Sequence, residues 1–110
     1  MRDHRADVVD RARQVIHETV YPYPPEIRSR EGMGQLTLEG FGTASQKLLK
    51  ADACFDTGLG GPPDIAGGVQ LVREASDALE QARGSIDGED AEVRAAFSEV
   101  LSLLESIRAT

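Results

Sequence analysis

The sequence predicts an all-α fold: an antiparallel, up-and-down four-helix bundle with a Gly/Pro-rich loop between the second and third helices. Three observations carry this. Apolar residues recur at three- and four-residue steps in four separate segments. No segment alternates apolar and polar residues as a half-buried strand would. The segments are separated by glycine- and proline-rich punctuation. A chain of 110 residues forms one domain, 1–110, having too little material for two independent cores.

The first helix is expected from Asp3 to Val20, with Val8/Val9, Ala12, Val15/Ile16 and Thr19 as its stripe. Asp3 suits the N-cap, where its carboxylate can accept a free backbone N–H. Asp7 and Arg11, four apart, are placed to pair on the outer face. The run Tyr21-Pro22-Tyr23-Pro24-Pro25 ends the helix, because proline lacks an N–H and pushes the preceding residue out of the helical region. An extended or polyproline-like connection is expected there, with polar sequence to about Gly34.

The second stripe is Leu38, Phe41, Ala44, Leu48, Ala51 and Phe55. Gly40 and Gly42 lie in its first turns, and each costs about 1 kcal/mol relative to alanine. Regular helix is therefore expected only from about Gly42 to Phe55, with Gly58 as its terminator. Residues 58–63, Gly-Leu-Gly-Gly-Pro-Pro, form the expected loop. Asp64 caps the third helix, whose stripe is Ile65, Val69, Val72, Ala75, Leu79, Ala82 and Ile86. Gly67 and Gly68 weaken its start. A short turn at Gly84–Gly88 leads to the fourth helix, from about Glu89 to Arg108. Its first-turn acids Glu89, Asp90 and Glu92 match the positive end of the helix dipole.

On that fourth helix Val93, Phe97, Val100, Leu104 and Ile107 form a compact stripe, with Leu101 and Leu103 on either side. At 100° per residue the apolar arc spans about 160°, wider than the ~100° that docks a surface helix. The excess predicts a homodimer through this helix unless Tyr21, Tyr23 or Phe41 covers the edge within one chain.

Lysine plus arginine is 12 and aspartate plus glutamate 19, a net charge of −7. This opposes binding to nucleic acid, which rests on cations neutralising phosphates. It also opposes attraction to anionic lipid. Residues 51–92 hold ten acids against Arg73 and Arg83, whereas residues 1–30 hold six bases against five acids. An acidic surface facing a basic protein partner is one functional expectation. The single cysteine, Cys54, rules out an intramolecular disulfide. The first residues lead into no apolar run of signal-peptide length, and no run spans a bilayer, so a cytoplasmic location is expected.

No catalytic, cofactor-binding or metal residue is assigned. Gly58-Leu59-Gly60-Gly61 lacks the Lys-Ser/Thr of a phosphate loop; Pro62, Pro63 and Asp64 follow instead, removing donors and adding a repelling charge. Small all-α nucleotide pyrophosphohydrolases hold Mg²⁺ with paired acids on neighbouring helices. The comparable pairs here, Glu74/Asp77 and Glu89/Glu92, stand in the opposite order. A turn near Gly84–Gly88 places Asp77 opposite about Ala95 and Glu92 opposite about Glu80, so the pairs do not meet at one level. His4 and His17 fit no metal spacing. Arg11 and His17 match only the permissive Arg-x(4–6)-His pattern of HEPN-type helical RNases. Cys54, flanked by Asp52 and Asp56, is expected to be a small buried apolar residue rather than a nucleophile. The functional expectation is a non-catalytic module that binds itself or another protein. The alternatives are a metal-dependent helical hydrolase and an acidic antagonist, such as an antitoxin, of a basic protein.

Overall fold

The computed structural model describes residues 3–21, 34–58, 60–86, 88–89 and 91–108. Among them there is no strand. Five helices pack together: α1 His4–Val20, α2 Gln35–Phe55, α3 Ile65–Gln81, α4 Arg83–Ile86 and α5 Ala91–Arg108. The expected all-α class is the class the chain adopts. Of the four long helices, α2 packs most extensively on α3, and α1 and α5 each contact a member of that pair as well as one another.

α1 starts as its sequence dictates. Asp3 is extended, and its carboxylate accepts from the Arg5 backbone N–H at 2.9 Å and from the Arg5 guanidinium at 3.0 Å. Ala6, Val9, Ala12, Val15, Ile16, Thr19 and Val20 are buried, with Val8 half-buried beside them. Arg11 does not take the expected partner Asp7. It reaches across to Glu99 on α5, at 3.2 Å. The segment from Pro22 to Met33, including Tyr23 and the expected extended connection, lies outside the described residues.

α2 begins at Gln35, seven residues before the expected Gly42. Glycine propensity is a local cost, and here a tertiary contact offsets it. A Cβ at Gly40 would lie 2.7 Å from that of Ala82 and 3.9 Å from the Phe97 ring. The missing side chain lets the end of α3 come against the start of α2. Gly34 has no side chain to cap the helix, and the Glu89 carboxylate accepts from its backbone N–H instead. Glu89 is thus not a first-turn acid of the last helix, which starts at Ala91; it sits at the positive end of α2.

α2 ends at Phe55 with Asp56 as C-cap, so the Gly58 turn (φ +60) follows the helix end without capping it. Two of its last carbonyls, orphaned by the helix end, accept from neighbouring segments. Cys54 O takes the Asp64 N–H at 2.9 Å, and Phe55 O takes the Asp3 N–H at 3.0 Å. The end of α2 is thereby tied to the starts of α1 and α3. Asp64 caps α3 as expected, accepting from Gly67 N–H at 3.0 Å. A Cβ at Gly68 would lie 2.5 Å from Phe55 Cζ. The glycine that weakens α3 locally is what lets Phe55 bury completely.

The expected simple turn at Gly84–Gly88 is replaced by a break and one helical turn. α3 stops at Gln81, and α4 carries Ile86 back into the core. The core centres on Phe41, Leu48, Phe55, Val72, Leu79, Val93, Phe97, Val100 and Leu104. Phe41 and Phe97 meet at 4.4 Å between ring centroids, tilted by 48°. Burial of each such side chain contributes about 1.5–3 kcal/mol. Phe41 is therefore core and not a cover for the α5 edge.

Candidate functional site

The acids singled out from the sequence are engaged in separate places. Glu74 pairs with Lys47 of α2 at 3.3 Å. Glu89 is held at the start of α2. Asp77 and Glu92 are exposed. Among the described residues no three histidine, cysteine, aspartate or glutamate side chains gather into a group that would hold a metal ion. Arg11 is turned to Glu99, whereas His17 lies against Tyr21 with ring centroids 5.2 Å apart. They do not share a site.

Cys54 is half-buried rather than buried. Burial pushes its thiol up, and the Asp64 carboxylate adds to this. A thiol held protonated is a poor nucleophile. Asp52 and Asp56 precede and follow it in sequence, but the shifting charge comes from Asp64, ten residues away. The α2–α3 connection brings it there.

α5 buries Val93, Ala96, Phe97, Val100, Leu104 and Ile107, and leaves Leu101 and Leu103 half-buried at its two edges. Leu101 borders a cleft of about 130 Å³ with Ile86 and Phe97. Among the described residues the large apolar side chains that stand more than half exposed are elsewhere: Leu36 at 61%, Leu49 at 54% and Tyr21 at 52%.

Two of these three border a groove of about 250 Å³ between the C-terminal half of α1 and α2. Ile16, Val20 and Phe41 are its buried apolar lining, Leu38 and Leu49 its partly or fully exposed one. Gly42, Ser45 and Gln46 complete the α2 side. The basic side chains lining it are Arg13 and His17, both from α1, and Tyr21 stands beside them at the end of that helix. Arg13 is paired only loosely, with Asp10 at 3.9 Å. Its Nε is shielded from solvent and has no hydrogen-bond partner. Leaving a buried donor unsatisfied costs about 1–3 kcal/mol. Sequence reading missed this groove. Leu49, like Leu36, falls outside the α2 stripe, and an off-stripe leucine was the available signal.

No helix among the described residues is long and apolar enough to cross a membrane. In comparisons with known proteins, the chain matches no family model, no curated protein and no solved structure.

Proposed function

We propose that the chain is a non-catalytic, cytoplasmic interaction module that self-associates through α5. In this reading the four long helices form an antiparallel up-and-down bundle, the Gly/Pro-rich residues 58–63 link its second and third members, and α5 meets a second copy. The observation that carries it is the pair Leu101 and Leu103, both half-exposed at the edges of α5 after α1 and α3 have packed on it. Two-fold pairing of like surfaces is the commonest closed assembly. Acidic residues 51–92 supply a second surface, one that steers a basic protein partner toward the module.

Light scattering across micromolar concentrations tests the reading. The expected mass rises from the 11.9 kDa of one chain to twice that value as concentration increases. Leu101→Glu or Leu103→Glu is expected to hold the lower mass with helical circular dichroism retained. A single-chain mass at every concentration overturns the dimer. A protein without metal chemistry keeps its melting midpoint when Mg²⁺ or Mn²⁺ is added; a specific rise, by linkage, would support the hydrolase alternative.

A further inference from the structure

The two edges of α5 are not alike. On the Leu103 side Glu99, one turn before it, pairs with Arg11 of α1 at 3.2 Å, so that edge adjoins a helix of the same chain. On the Leu101 side a cleft of about 130 Å³ lies between α4 and α5. Its buried lining is Ile86 and Phe97. Arg94 and Ser98 are exposed beside it, and Arg83, paired with Glu80 at 3.0 Å, borders it from α4. Arg94, Phe97, Ser98 and Leu101 are spaced i, i+3, i+4 and i+7. Four residues so placed make the hole into which a side chain of a facing helix inserts.

A stripe runs through this hole at alternating steps of four and three residues: Arg94, Ser98, Leu101, Glu105 and Arg108. Leu101 is half-buried and the others are exposed. The steps are the heptad spacing of a seam between two helices. The charges along the stripe have an order, basic, acidic, basic. A parallel copy would set Arg94 on Arg94, Glu105 on Glu105 and Arg108 on Arg108. An antiparallel copy with its Leu101 over the hole has its Glu105 beside Arg94 and its Arg108 beside the small, exposed Ala91. The register that fills the cleft is thus the register that pairs the charges.

We propose that a second copy docks antiparallel on the Leu101 edge, each Leu101 entering the α4–α5 cleft of the other chain and each Arg94 pairing with the other chain's Glu105. This rests on the α5 dimer and decides between its two leucines. Two-fold symmetry makes every such contact twice. The Arg94 guanidinium is steadied by Nη1, which donates to Glu89 O at 2.7 Å, and a guanidinium has further donors for a carboxylate. Glu105 is held by Arg108 at 3.7 Å, a loose pair that leaves its carboxylate room for a second cation. Two chains of net charge −7 repel one another, but this stripe carries two arginines to one glutamate and stands apart from the acidic excess.

Sedimentation equilibrium of the full chain and of charge-reversed variants tests the proposal. Arg94→Glu and Glu105→Arg are each expected to raise the dimer Kd about tenfold, because each sets like charges together twice. The double variant is expected to return to within about threefold of the parent, and an equal mixture of the two single variants to form a heterodimer in preference to either homodimer. Glu105→Arg leaves the bond from Arg94 to Glu89 intact, so it carries the test should Arg94→Glu lower the melting midpoint. A parallel pair would not respond to it, exchanging one like pair for another. Leu101→Glu is expected to separate the copies. A dimer unmoved by either reversal, a double variant no tighter than the singles, or separation by Leu103→Glu and not by Leu101→Glu overturns this proposal and leaves the α5 dimer standing. A single-chain mass at every concentration removes both, as do concentration-dependent amide shifts confined to Val20 and Leu49, which would move the contact to the α1–α2 groove.

Discussion

The seam between α2 and α3 and the seam between α1 and α5 are made in different ways. At the first, glycine on one helix admits a side chain from the other at both ends: Gly40 receives Ala82, and Gly68 receives Phe55. The start of each helix meets the end of the other, and Lys47 and Glu74 pair between them. At the second seam neither helix contains a glycine. Valine, isoleucine, alanine and phenylalanine side chains fill it, and Arg11 and Glu99 close the outside. Close approach at the first seam depends on positions that tolerate no added atom. The second depends on apolar area, which tolerates small adjustments.

That difference predicts where substitutions hurt. Gly68→Val should be the most damaging, because Phe55 has nowhere to move inside the core; the expected loss is about 2–3 kcal/mol in urea unfolding. A loss near zero would mean that the α2–α3 seam yields as readily as the other. Asp64→Ala removes the cap of α3 at the same end, for an expected loss of about 1 kcal/mol, read from the same transition. On the second seam, a double-mutant cycle at Arg11 and Glu99 should give a coupling of only about 0.5 kcal/mol that shrinks with added salt, since both side chains are about half exposed. A salt-insensitive coupling of 2 kcal/mol or more, roughly twice what exposed pairs show, would place structural weight on a contact this account treats as minor.

The two seams were not equally legible in the sequence. Signals that act within a few residues were readable: Asp3 and Asp64 cap the helices they precede, and the α1 stripe from Val9 to Thr19 is the buried face. The start of α2 was not readable. The cost of Gly40 is visible locally, but its compensation comes from Ala82, far along the chain. Glu89 carries the same lesson. Its position suggests the first turn of α5, yet its carboxylate accepts from the Gly34 N–H at the start of α2. The break at Ala82, which converts an expected turn into α4, left no mark in a stripe that continues to Ile86. Of the candidate groove, Arg13, Gly42 and Leu49 carry no local signature that unites them. Only the apposition of α1 and α2 does so.

A helix glycine marks either a contact or an opening, and Gly40 and Gly42, two residues apart, are one of each. Urea unfolding of Gly40→Ala and Gly42→Ala, measured side by side against the parent chain, tests it directly. Gly40→Ala is expected to destabilise by about 1–3 kcal/mol, as the new methyl group meets Ala82. Gly42→Ala is expected to stabilise by about 0.5–1 kcal/mol, as helix propensity acts without opposition. Stabilisation by both substitutions, or destabilisation by both, would contradict the account.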